Sequence, residues 1–139
     1  MTVPRVLVAE DDEDILDLVR LCLEQDGFEV ITARDGQEAL RLAGERRPAL
    51  ALLDVQMPKG DGYEVTRRLR AEDATRQMAI IILTASVRDT ELARAFEAGA
   101  DDFLRKPFSP AELTRRVRAA LEGSSLSLPH RGPVWQRKT

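Results

Sequence analysis

Five polar residues sit where apolar runs end. Glu10 and Asp11 follow Val6-Leu7-Val8-Ala9, Asp54 follows Ala49 to Leu53, Thr84 follows Ala79 to Leu83, and Lys106 comes just after Phe103-Leu104. A carboxylate at the end of a buried strand is costly unless something compensates it, so Asp54 needs a partner. It is not placed to cap a helix, because the loop that follows, with Pro58 and Gly60, argues against a helix starting there. Glu10, Asp11 and Asp54 carry a formal charge of −3, and Lys106 brings the set to −2. Crowded carboxylates raise one another's pKa or strain the fold. A divalent cation makes the set neutral, and hard oxygen donors suit Mg²⁺ with several waters retained, with Mn²⁺ as the alternative. A phosphoryl group placed there would meet a metal, an ammonium and a hydroxyl. Phosphoryl transfer requires such a set, because its catalysis is mostly positioning and charge stabilisation. Asp54 can itself act as the nucleophile and form an aspartyl phosphate.

The elements that must hold these residues alternate five times along the chain. Val6 to Ala9 predicts a short buried strand, and Ile15, Leu18, Val19, Cys22 and Leu23 recur at helical spacing up to Gly27. Phe28 to Thr32 predicts a second strand, and Asp35 to Gly44 a helix with Ala39, Leu40 and Ala43 on one face. Ala49 to Leu53 is a fully apolar third strand, followed by a loop over Met57 to Gly62 and a helix over Tyr63 to Arg70. Ala79 to Leu83 is the strongest strand pattern, and the helix over Thr90 to Ala98 stops at Gly99. Phe103-Leu104 is the last strand. Ser109-Pro110-Ala111-Glu112 opens the last helix with a capping-box pattern, and that helix runs to about Leu121 before Gly123. Continuous apolar strands separated by helices indicate a (βα)5 α/β fold, a doubly wound parallel sheet covered on both faces. In such sheets ligands bind beyond the carboxyl ends of the strands, which is where all five polar residues fall.

Composition narrows the function classes. The 139 residues are 43% hydrophobic and 32% charged, enough for one ordinary domain. A net charge of −3 argues against direct nucleic-acid binding by this chain. One cysteine, Cys22, and one histidine exclude an intrachain disulfide and the usual zinc frameworks, and Cys22 reads as a small buried hydrophobe. There is no signal-peptide pattern and no long apolar run, so a soluble cytoplasmic protein without membrane contact is expected. Residues 124–139 hold three basic side chains and no acid, +3 against −6 for residues 1–123. They read as a flexible tail or truncated linker after a domain over 1–123.

In the acidic run Glu10 to Asp14, the last three residues suit a helix N-terminus, while Glu10 and Asp11 come too early for that role. An EF-hand loop is excluded, since the turn Gly and the closing Glu are missing.

The four segments together resemble the receiver domains of two-component response regulators. Val-Leu-Val-Ala-Glu10-Asp11 is similar to the family's first strand and acidic pair, and Leu-Leu-Asp54-Val-Gln-Met-Pro58-Lys-Gly-Asp-Gly62 to its phosphoacceptor segment. Ile-Ile-Leu-Thr84-Ala85 and Gly99-Ala-Asp-Asp-Phe103-Leu-Arg-Lys106-Pro107-Phe108 match the switch and end motifs, so the resemblance spans about residues 5 to 122. It implies a flavodoxin-like sheet of strand order 2-1-3-4-5. It implies that Asp54 accepts phosphate from a sensor histidine kinase or a histidine phosphotransfer protein. Asp11, Asp54 and the backbone carbonyl of Gln56 would bind Mg²⁺, with Glu10 helping through water. Lys106, Thr84 and the backbone N–H groups of Gln56 and Ala85 would contact the phosphoryl oxygens. Thr84 would move toward the phosphate and Phe103 would turn inward, changing the surface of the fourth helix, last strand and fifth helix. Gln56 and Ser86 flank the path of attacking water and would tune autodephosphorylation, the one reaction besides self-phosphorylation expected of a non-enzyme.

Two rivals stay open on the residues alone. One is a Mg²⁺-dependent phosphatase with an aspartyl nucleophile, although such enzymes usually carry a second acid where this chain has Gln56. The other is a receiver-like interaction module that works without phosphorylation. A nucleotide or flavin site lacks support, since neither a G-x-G-x-x-G nor a Walker pattern occurs. The segment from Ser109 to Arg118 resembles receivers attached to winged-helix DNA-binding domains, which often dimerise through the fourth helix, last strand and fifth helix. Asp101, Glu112, Arg116 and Arg118 are candidates for ion pairs across such a face. The chain either stands alone or belongs to a longer one.

Overall fold

The computed structural model describes residues 3–86 and 88–123; the expected tail over 124–139 lies outside the described residues. Among the described residues five strands and five helices alternate: β1 (Arg5–Ala9), α1 (Glu13–Gln25), β2 (Glu29–Ala33), α2 (Gly36–Arg46), β3 (Leu50–Asp54), α3 (Gly62–Ala71), β4 (Ala79–Thr84), α4 (Asp89–Ala98), β5 (Asp102–Arg105) and α5 (Pro110–Leu121). The sheet is parallel throughout, in the order β2-β1-β3-β4-β5.

Alternation of side chains along each strand sorts the core into two halves. Leu7, Ala9, Ala51, Leu53, Ile80 and Ile82 face α2, α3 and α4, where Ala39, Ala43, Val65, Leu69 and Ala95 meet them. Val6, Val8, Leu50, Leu52, Ile81 and Leu83 face α1 and α5, where Leu16, Val19, Leu23, Leu113 and Val117 close the other side. Both faces are covered, which is why these strands read as unbroken apolar runs.

The helix starts are fixed by side-chain caps. Asp12 accepts from the N–H groups of Asp14 and Ile15, Asp35 from Glu38, Asp61 from Glu64 and Ser109 from Glu112. The expected capping box at Ser109 is only half made. The Glu112 carboxylate turns away to Arg115 and Arg116 instead of returning to the Ser109 amide. α2 runs past Gly44 to Arg46 and ends at Arg47, whose φ of 44° is left-handed, with Pro48 preventing continuation. β3 extends one residue further than expected, because Asp54 still pairs with Leu83 in the ladder. α4 ends at Gly99 with φ of 111°, a conformation that L side chains avoid.

A half-buried arginine ties the far side together. Arg70 on α3 donates to the carbonyls of Gly99, Arg76 and Met78 and to Asp101 Oδ2 at 2.9 Å, and Asp101 also accepts from the Ile80 amide. The residues expected to form ion pairs across a dimer face are therefore engaged within the chain. Asp101 is held by Arg70, Arg116 binds Asp102 and Glu112, and Arg118 binds Asp26.

Candidate functional site

The carboxyl ends of β1, β3 and β4, with the residue after β5, open onto one cleft of about 580 Å³. Glu10, Asp11, Asp54, Thr84 and Lys106 all line it, as do Gln56 and Ala85. Phe103 does not. It lies on the neighbouring groove between β5 and α5, its ring edge-on to Phe96 at 6.0 Å, with the guanidinium groups of Arg105 and Arg116 each 5.6 Å away.

Sequence order puts Glu10 and Asp11 side by side, but the structure gives them different environments. Glu10 is 1% exposed, whereas Asp11 stands in solvent at the cleft rim. Asp54 and Thr84 are each 5% exposed. Lys106 reaches between the two buried carboxylates, donating to Asp54 Oδ1 at 2.9 Å and lying 2.7 Å from Glu10 Oε1. The second contact is an ion pair without hydrogen-bond alignment, so Glu10 Oε1 stays buried without an aligned donor. Its other oxygen accepts from the Asp12 amide at 3.2 Å.

Electrostatics follow from this arrangement. Burial pushes the Glu10 carboxyl above its usual range, Lys106 opposes the rise and Asp54 adds to it. Burial alone would pull Lys106 down, but the close carboxylates of Glu10 and Asp54 outweigh it and hold the ammonium above its ordinary value. Lys106 therefore stays charged at any physiological pH.

The donor set fits a hard divalent cation. Glu10, Asp11 and Asp54 each bring a carboxylate oxygen within 4.8 Å of the others. The unaligned Glu10 Oε1 is a buried acceptor for which a metal-bound water is a suitable donor.

The loops that carry these groups are held tightly. The Val55 amide donates to Leu83 O and the Gly62 amide to Val55 O, while Pro58 O accepts from Gly36. A Cβ on Gly62 would lie 2.6 Å from the Asp54 carbonyl oxygen, so only glycine lets α3 start this close to Asp54. After β4, the Ser86 amide donates to Thr84 Oγ1 at 3.0 Å, and the Lys106 amide donates to Thr84 O at 2.8 Å.

The sequence reading missed Arg88 and Glu91, which complete the cleft from α4. Glu91 accepts from the Tyr63 hydroxyl at 3.1 Å. The available signal was the helix start itself: Arg88 occupies a capping position where Ser, Thr, Asp or Asn is usual.

The profile of the response regulator receiver domain matches residues 6–118. The chain belongs to that family. The receiver is 42% identical over 125 residues to the alkaline phosphatase synthesis transcriptional regulatory protein PhoP of Bacillus subtilis, covering 90% of this chain and 51% of the relative. It thus spans about half the length of the curated relatives it matches. Among solved structures, the chemotaxis response regulator CheY4 of Vibrio cholerae superposes with a TM-score of 0.83 at 32% identity, over 86% of this receiver and all of the other. The receiver domain of the sensor histidine kinase PA1611 from Pseudomonas aeruginosa superposes with a TM-score of 0.76 at 34% identity, covering 82% and 93% of the two chains. That structure has a magnesium ion coordinated in its active-site cleft. Among the described residues of this receiver, no helix is long and apolar enough to cross a membrane.

Proposed function

We propose that this receiver is a phosphorylation-driven switch in which Asp54 takes a phosphoryl group from a phosphohistidine, on a sensor histidine kinase or a histidine phosphotransfer protein. The observation that carries the reading is a buried Asp54 carboxylate, hydrogen-bonded to Lys106 at 2.9 Å, with two further carboxylates beside it in an open cleft.

A carboxylate oxygen of Asp54 attacks phosphorus. The N–P bond of the donor breaks, its electron pair stays on the imidazole nitrogen, and that nitrogen takes a proton from solvent. Lys106 stays protonated and passes from the free carboxylate to the phosphoryl oxygens, so it neutralises charge before and after transfer. The Thr84 hydroxyl and the backbone N–H groups of Gln56 and Ala85 donate to the remaining phosphoryl oxygens. Mg²⁺, or Mn²⁺ in its place, would be held by Asp11, Asp54 and the Gln56 carbonyl, with Glu10 through water, and supplies neutralisation of the developing charge. Each molecule takes up one phosphoryl group and later loses it to water, and a long lifetime of the aspartyl phosphate is what separates a switch from a phosphatase that turns over.

The signal leaves through α4, β5 and α5. Thr84 closes on the phosphoryl group, and Phe103 fills the space it vacates. Shifting a population from 1:99 to 99:1 takes about 5.5 kcal/mol, within reach of several charge-assisted contacts made only to the phosphorylated state. The relatives' names describe transcriptional regulators. A DNA-binding output beyond this chain, a homodimer through α4, β5 and α5, and a cytoplasmic location belong to this proposal.

Electrophoresis that retards phosphoproteins tests it. Acetyl phosphate with Mg²⁺ should retard the wild-type chain, a chelator should abolish the shift, and Asp54→Asn should show none. A retarded Asp54→Asn band would mean that the acceptor lies elsewhere.

A further inference from the structure

We infer that Arg88 is the donor-capturing cation of this cleft: its guanidinium binds the oxygens of an incoming anionic phosphodonor and brings the phosphoryl group to Asp54. The inference rests on Asp54 being the acceptor.

Four of the five helices begin with an Asp or Ser whose side chain accepts from the first turn. α4 instead begins with Arg88, whose side chain makes no capping bond. A cation there faces the positive end of the helix dipole and forgoes a cap, so the residue is unfavourable for the helix on both counts. A locally unfavourable residue at a site rim points to a task other than folding.

The charges of the cleft supply that task. Its lining holds five carboxylates, those of Glu10, Asp11, Asp12, Asp54 and Glu91, and two cations, Lys106 and Arg88. Lys106 is engaged by Glu10 and Asp54. Glu91 is engaged by the Tyr63 hydroxyl and lies 3.8 Å from Arg94. Among the described residues no carboxylate pairs with Arg88, although it is exposed on the cleft wall. With a divalent cation neutralising the Glu10, Asp11, Asp54 and Lys106 set, the remaining carboxylates of the lining are Asp12 and Glu91, and Arg88 is the exposed cation that an incoming anion meets besides Lys106. A guanidinium matches two phosphoryl oxygens at once and keeps its charge at every pH.

Arg88 is also placed in register with the site. Its amide donates to Ser86 Oγ at 3.1 Å, and the Ser86 amide donates to Thr84 Oγ1 at 3.0 Å. Two hydrogen bonds thus fix the backbone of Arg88 relative to the hydroxyl at the end of β4. The ligand class is a phosphoryl anion carried on a good leaving group, either an acyl phosphate or a phosphoramidate-type N–P bond.

The test follows phosphoryl uptake against donor concentration for wild type, Arg88→Ser and Arg88→Lys, with acetyl phosphate and with phosphoramidate as donors. Arg88→Ser should lower the second-order rate constant for acetyl phosphate by about three- to tenfold at low salt, and the difference should shrink as salt screens the guanidinium. Phosphoramidate carries less negative charge and should show a smaller loss. Arg88→Lys keeps the charge but not the paired donors, and should recover part of the rate. Because serine is the better cap, Arg88→Ser should melt no lower than wild type, so a slower rate cannot be blamed on folding. Wild-type rates in Arg88→Ser, a loss independent of salt, or no recovery in Arg88→Lys would each overturn the inference. A wild-type chain that takes up no phosphoryl group would instead overturn the reading of Asp54.

Discussion

Replacing Lys106 with methionine should turn the site from a balanced cluster into a strained one. The ammonium lies 2.7 Å from Glu10 Oε1 and 2.9 Å from Asp54 Oδ1. At an effective dielectric of about 20, charges about 2.8 Å apart interact by about 6 kcal/mol, most of which offsets the desolvation of the ions. Removing one partner of a buried pair costs about 3–5 kcal/mol, because the other charge is left uncompensated. The Lys106 side chain is 20% exposed and the cleft is open to water, which places the expected loss nearer about 2–3 kcal/mol. Urea unfolding followed by circular dichroism, with metal chelated, measures it. Two further results should accompany the loss. Mg²⁺ should restore more stability to Lys106→Met than it adds to wild type, since the metal takes over the missing charge. Adding Glu10→Gln should restore at least half of the deficit, because it removes one of the two opposed carboxylates. A loss that is the same with and without Mg²⁺ and simply adds to that of Glu10→Gln would refute the charge balance described here.

Other outcomes follow from the same geometry. Burial, helped by the hydrogen bond to Glu91, pushes the phenol of Tyr63 from 10.0 up to about 12. A raised folded-state pKa means that this group's contribution to stability is full below the unfolded value of about 10 and is lost as pH climbs toward about 12. Tyr63 is the sole tyrosine, so the phenolate absorbance band reports it directly, and an ordinary midpoint in the folded protein would contradict the packing. Gly62→Ala places a methyl carbon 2.6 Å from the Asp54 carbonyl oxygen and should cost about 2–3 kcal/mol by urea unfolding while slowing phosphoryl uptake. A neutral result would mean that the start of α3 yields easily and does not hold Asp54 in place.

Much of this architecture was legible because each strand is buried on both faces. Leu50 to Leu53 and Ala79 to Leu83 are apolar without interruption, so the first polar residue after each run marks a carboxyl end. That logic alone brought Asp54, Thr84, Glu10 and Lys106 to one rim. What the sequence hid was the partition of neighbouring like residues. Glu10 and Asp11 are chemically equivalent in the chain, yet one is buried against Lys106 and the other is solvated. Long polar side chains were equally opaque. Arg116 has three carbons of reach beyond Cβ and bends back to Asp102, Glu112 and the Phe103 carbonyl, which no periodicity reveals. Helix ends shifted for a similar reason. Gly44 looked like a stop, but its exposed face meets nothing, and α2 continues until Arg47 turns left-handed ahead of Pro48. Arg88 and Glu91 escaped notice because α4 contributes to the cleft sideways rather than from a strand end.

Chemical trapping tests the central claim most directly. The full chain is incubated with acetyl phosphate and Mg²⁺, reduced with borohydride, which converts an acyl phosphate to an alcohol, then digested and mapped by mass spectrometry. Homoserine at position 54, appearing only with donor and metal, is the predicted result. An unmodified Asp54 in a folded, metal-loaded chain, or a reduced side chain at any other carboxylate, would contradict it.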